Sequence, residues 1–147
     1  MITWVVDASV AVKWFVPELL SDQAGLLLEA GSAGHSALIA PDLVVAEFGS
    51  VLSKKMRAGE LTSREAREVL DGFLAAPVEF VSSAGLAHAG LEIAAVVHCT
   101  FYDALYLATA QAVRGRLVTA DEGLARLISR TPLHALLVSL RSLAREF

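Results

Sequence analysis

Two rhythms of apolar and polar positions alternate along this chain. Short runs of β-branched and aliphatic residues recur between longer stretches that carry an apolar residue every three or four positions. The first rhythm belongs to strands buried on both faces, the second to amphipathic helices. On this reading residues 2–6 form a buried strand and residues 8–15 a short helix stopped by Pro17. Residues 22–30 are helical and end among Gly31 and Gly34, and residues 37–40 form a short strand. Pro41 opens a helix to about residue 58, closed by Gly59. Thr62-Ser-Arg-Glu65 is a capping box for a helix to about residue 76, stopped by Pro77. A strand at 78–81, helices at 86–98 and 101–114, a strand at 117–119 and a helix at 122–129 follow. Residues 136–138 make the last strand, with a helical tail to Phe147.

Strands separated by helices predict an α/β fold with a parallel central sheet flanked by helices on both faces. No repeat, low-complexity tract or linker interrupts the pattern, so residues 1–147 read as one domain.

Composition sharpens this picture. Apolar residues make up 55% of the 147 and charged residues 19%, which suits a fully covered sheet and excludes global disorder. No run of 18 apolar residues lacks a charge, so a membrane span is not expected. A single cysteine, Cys99, fits a reducing compartment. Met1 leads directly into the first strand without a basic segment or cleavage-type site, so a cytoplasmic location is expected.

The acids carry the candidate chemistry. Asp7 and Asp121 each end a strand and precede a helix, at the edge where open α/β sheets place their sites. Taken singly, each reads first as a helix N-cap, a favoured place for Asp. Glu47 falls between Leu43 and Val51 on a helical wheel, inside an apolar arc. A carboxylate there needs either Lys54, two turns on, or a metal ion. Asp103 lies in a segment apolar on nearly every side, and Thr100 with Asp103 also matches a capping box. Converging carboxylates repel unless a cation stands between them, and oxygen-only ligands suit Mg²⁺ or Mn²⁺. Ser9 and Thr119, each two residues from a strand-end acid, can orient those acids or serve turn chemistry.

With these residues in view, the chain resembles the PIN-domain ribonucleases, specifically the VapC-type toxins of toxin–antitoxin pairs. Val5-Val6-Asp7-Ala8-Ser9-Val10 resembles the first acidic motif of that family, and residues 41–52, with Glu47, the second. Tyr102-Asp103-Ala104-Leu105-Tyr106-Leu107-Ala108 resembles the third and Thr119-Ala120-Asp121-Glu122 the fourth. One departure is Ser50, at the place three residues after the glutamate where the family often carries Asn. The resemblance implies a single PIN-like domain and a Mg²⁺- or Mn²⁺-dependent endoribonuclease that cuts structured RNA such as tRNA. It also implies inhibition by a cognate VapB-like antitoxin and assembly as a homodimer. Asp7, Glu47, Asp103 and Asp121 match the family's acidic quartet. Asp7 and Asp103 would hold the principal ion, Glu47 and Asp121 would act through water or a second ion, and Ser9, Ser50 and Thr119 would support them.

Charge does not oppose an RNA substrate. The chain has 12 bases and 16 acids, a net −4, so without the quartet 12 acids face 12 bases. Lys54, Lys55, Arg57, Arg64 and Arg67 cluster around one helix end and the next helix as a candidate phosphate-tracking patch. The first three equally suit a helix C-terminus. Trp14 and Phe15 read as core or as part of an antitoxin groove. The competing functions are a catalytically silent PIN-type binding module and a metal-dependent phosphatase. Ser9, standing where such a phosphatase wants a second Asp, argues against the latter.

Overall fold

The computed structural model describes residues 1–146; the notional tail end at Phe147 lies outside them. Five strands form one parallel sheet in the order β3-β2-β1-β4-β5. They are β1 (Ile2–Val6), β2 (Ser36–Pro41), β3 (Val78–Val81), β4 (Arg116–Thr119) and β5 (Leu137–Ser139). The helices flanking them are α1 (Ala8–Ala11), α2 (Ser21–Ser32), α3 (Leu43–Arg57), α4 (Ser63–Leu74), α5 (Ala87–Val97), α6 (Phe101–Ala112) and α7 (Glu122–Ser129). The α/β layout expected from the two rhythms is the one observed.

Strand order places the site. The chain runs outward from β1 to β2 and β3, then returns to add β4 and β5 on the other side of β1. The crevice beyond the carboxyl ends of β1 and β4 is therefore a topological switch point, where open sheets bind ligands. Val6 pairs with Val118, so Asp7 and Thr119 follow on adjacent strands at the next rung.

Several boundaries differ from the sequence reading. Pro41 ends β2, paired with Val81, instead of opening a helix. The β1–β2 ladder stops at Val5 and Ile39, so the missing N–H of proline removes no bond to β1. Helix α3 starts after Asp42, whose carboxylate accepts from Ser83 N–H and Oγ, pinning the turn. Residues 8–15 split into α1 and a 3₁₀ turn at Val12–Trp14. The tail forms a 3₁₀ segment at Leu140–Glu146, and the last strand sits one residue later than read. The Thr62–Glu65 capping box is present with both bonds formed.

The core gathers on both sides of β1. Trp4, Val5 and Val6 are buried, as is every residue of α6 from Ala104 to Ala110. The hydroxyl of Thr109 in that buried run is satisfied by the Leu105 carbonyl at 2.7 Å. Helix α3 buries Val44, Phe48 and Leu52. Phe48 stacks on Phe73 of α4 at 4.1 Å between centroids, with Phe15 edge-on to it. Gly115, before β4, lies where a Cβ would meet the Thr3 carbonyl oxygen at 2.5 Å. Only glycine permits that approach of β4 to β1.

Candidate active site

At the switch point Asp7, Glu47, Asp103 and Asp121 line one open pit of about 310 Å³, with Ala8, Ser9, Ser50, Val51, Lys54 and Tyr106. Four elements supply the acids. Asp7 follows β1, Asp121 follows β4, Glu47 sits in the second turn of α3 and Asp103 in the first turn of α6.

The strand-end acids are helix caps and site residues together. Asp7 Oδ1 accepts Val10 N–H at 3.1 Å and so caps α1. Asp121 Oδ1 accepts Leu124 N–H at 3.0 Å and caps α7. The two ends are laced together by hydroxyls. Ser9 Oγ donates to Asp7 Oδ1 at 2.6 Å and accepts Ala120 N–H at 3.1 Å. Thr119 Oγ1 donates to Asp7 Oδ2 at 2.5 Å and accepts Asp121 N–H at 3.1 Å. Both carboxylate oxygens of Asp7 thus receive a hydroxyl proton, and their orientation is fixed.

Burial nevertheless pushes the Asp7 carboxyl up from 3.8 to about 6. The bonds from Ser9, Thr119 and Val10 oppose that rise, and the Glu47 charge adds to it. Burial also raises Asp103, against the Thr100 hydrogen bond and with the charge of Asp121. Thr100 caps α6 by accepting Asp103 N–H at 3.0 Å. These are anions held where ionisation is unfavourable, the electrostatic condition that a cation relieves.

Glu47 departs from the sequence reading. It lies at the flank of the buried α3 stripe, half-exposed with Leu43 and Val51. Its charge is met by Tyr106, not by Lys54: the buried phenol donates to Glu47 Oε1 at 2.5 Å. Tyr106 stands in the third motif, within a segment that reads as buried, and the sequence reading assigns it no role. The available signal was its position three residues after Asp103, which puts both on one face of α6.

The five bases of the candidate patch separate. Lys54 is exposed, lines the pit and makes no ion pair among the described residues. Lys55 is tied to Glu18 at 2.9 Å and to Glu60 at 3.4 Å, with 16% of its side chain exposed. Lys13 reaches the same Glu18 at 3.3 Å. Arg57 donates to Ser53 Oγ, and Arg64 pairs with Glu68 along α4. Arg67 is exposed on α4. Ser50 is an exposed part of the pit wall.

The donor set of the pit is oxygen-only and anionic, which fits a hard divalent ion. Among the described residues no three His, Cys, Asp or Glu side chains close around a single point.

A family model described as PIN domain matches residues 4–128. Ribonuclease VapC3 of Pyrobaculum aerophilum is 34% identical over 125 residues, covering 82% of this chain and 91% of that protein. A crystal structure of a protein from Pyrobaculum aerophilum superposes with a TM-score of 0.69 at 23% identity, covering 98% of this chain and 96% of the other. The VapBC2 complex of Rickettsia felis, solved bound to a promoter DNA fragment, gives 0.69 at 18% identity, covering 94% and 98%. Among the described residues no single helix is long and apolar enough to cross a membrane.

Proposed function

The chain belongs to the PIN-domain family, and on that footing we propose that it is a VapC-type toxin. Its activity is that of a Mg²⁺- or Mn²⁺-dependent endoribonuclease acting on structured RNA such as tRNA, within one PIN domain spanning residues 1–147. The observation that carries this reading is the convergence of Asp7, Glu47, Asp103 and Asp121 on one pit at the switch point. The 34% identity to a ribonuclease over most of the chain supports it.

Asp7 and Asp103 would hold the ion directly, with Glu47 and Asp121 acting through water. A bound divalent ion supplies a water acidic enough to attack at neutral pH and neutralises charge on the phosphoryl oxygens. The chain supplies the rest. Ser9 and Thr119 fix the Asp7 carboxylate. The Asp121 cap on α7 fixes that carboxylate at the far wall. Lys54 stands on the rim as a cation with no ion pair among the described residues, able to orient a phosphate against the neutralised quartet. Lys54 is the base this reading retains for RNA contact next to the chemistry, with Arg57, Arg64 and Arg67 further along the strand's path.

The Rickettsia felis neighbour is a VapBC complex, which supports a VapB-like antitoxin as the partner of this chain. A cytoplasmic location and a homodimer complete the reading. The test is cleavage of total RNA with and without Mg²⁺, with the ends mapped. Cleavage is expected with Mg²⁺ and lost in EDTA and in Asp103→Asn. Full activity in EDTA, or in a folded Asp103→Asn protein, overturns it.

A further inference from the structure

We propose that Tyr106 is a positioning residue that restricts Glu47 to one free carboxylate oxygen and thereby sets the preference of the pit for Mg²⁺ over Ca²⁺. The inference rests on the reading of the pit as a divalent-ion site. Its own observation is the bond from the Tyr106 hydroxyl to Glu47 Oε1, which joins α6 to α3 at the wall of the pit.

The geometry makes this bond restrictive. The Tyr106 side chain is buried in α6, 2% exposed, within a run of seven buried residues, so the phenol has little freedom to follow a moving carboxylate. Asp103 lies one turn earlier on the same helix face. The bond therefore fixes Glu47 of α3 relative to the helix that carries Asp103. Glu47 Oε1 accepts the phenol proton, which fixes the plane of the carboxylate and turns Oε1 towards α6, while Oε2 has no hydrogen-bond partner among the described residues.

Coordination chemistry gives the consequence. Mg²⁺ takes six ligands in a near-ideal octahedron and accepts carboxylates one oxygen at a time, often through water. Ca²⁺ takes six to eight ligands and commonly uses both oxygens of a carboxylate. A glutamate with one oxygen held by a buried phenol serves the first ion and withholds a ligand from the second. Partners that orient a ligating carboxylate typically change metal affinity about 10–100-fold when removed.

The experiment is Tyr106→Phe, which removes the hydroxyl and leaves the ring in the core. Melting temperature is followed as MgCl₂ or CaCl₂ is titrated into metal-free wild-type and variant protein, giving an apparent affinity for each ion. Tyr106→Phe is expected to improve Ca²⁺ affinity relative to Mg²⁺ by roughly tenfold. In a Glu47→Gln background the same change is expected to leave the ratio unmoved, because no carboxylate remains to restrain. An unchanged ratio in Tyr106→Phe, or an equal shift in the Glu47→Gln background, overturns the proposal while the ion site stands. A wild-type protein whose melting responds to neither ion overturns the ion site and the proposal with it. A readout independent of the variant's folding is the infrared carboxylate difference between wild type and Glu47→Gln with each ion. Two-oxygen coordination by Glu47 is expected with neither ion in wild type, and its appearance with Ca²⁺ in wild type overturns the assignment.

Discussion

Replacing Asp7 by Asn tests whether this carboxylate is held in the fold at the expense of stability. Its carboxyl rises from 3.8 to about 6 on folding, chiefly through burial. The difference of about 2 units, at about 1.4 kcal/mol each, amounts to an upper bound of about 3 kcal/mol between the protonated and ionised folded states. The sign follows from proton binding. The folded state holds this proton more tightly than the unfolded chain, so the contribution is fully present below pH 4 and is lost as pH rises through about 6. Asn keeps an acceptor for Ser9 and Val10, but its amide cannot accept from Thr119, which costs about 1 kcal/mol. The variant is therefore expected to be about 1 kcal/mol weaker than wild type at pH 4 and about 2 kcal/mol stronger at pH 8 without metal. At pH 8 that gain raises the melting temperature by about 4–8 °C for a chain of this size. The assay is urea unfolding in EDTA from pH 4 to 8, followed by fluorescence of Trp4 and Trp14. Subtracting the two curves cancels groups such as Glu18, where bonds to Lys55 and Lys13 outweigh burial and hold the carboxyl low. A difference that is flat with pH, or that falls towards pH 8, refutes the reasoning.

Further outcomes separate neighbouring residues. Lys54→Ala is expected to raise the KM for RNA about fivefold and to make its salt dependence shallower by about one counterion, with no loss of stability; an unchanged salt slope counts against phosphate contact. Lys55→Ala is expected to lower stability by about 1 kcal/mol through loss of the partly buried Glu18 pair while cleavage persists. Unfolding by urea is the measurement, and loss of cleavage in a stable Lys55→Ala protein would return that lysine to the RNA surface. Phe48→Ala removes a fully buried ring stacked on Phe73 and is expected to cost about 3–5 kcal/mol; a loss under 1 kcal/mol would mean that the α3–α4 contact repacks freely.

Local physics wrote much of this protein into its sequence. Strands, helices and the Thr62 cap depend on side-chain periodicity and on contacts three or four residues apart, so they are legible without the fold. The acids at the ends of β1 and β4 were legible for the same reason, since a strand followed by an N-cap is a local pattern. The misplaced helix start at Pro41 shows the limit. Proline favours a first helical turn, and only the pairing of β2 with β3 reveals that this one completes a strand. Strand order alone brings Thr119 onto Asp7 across 112 residues. The azimuth of α3 against α6 gives Glu47 a buried phenol as partner in place of the lysine on its own helix. The loop carrying Glu18 ties up Lys55 of the candidate patch and leaves Lys54 at the pit. Periodicity says which face of an element is buried. Which remote side chain meets that face is decided by how the elements pack, because a hydrogen bond or ion pair requires its partner within about 3–4 Å and no local pattern encodes that distance.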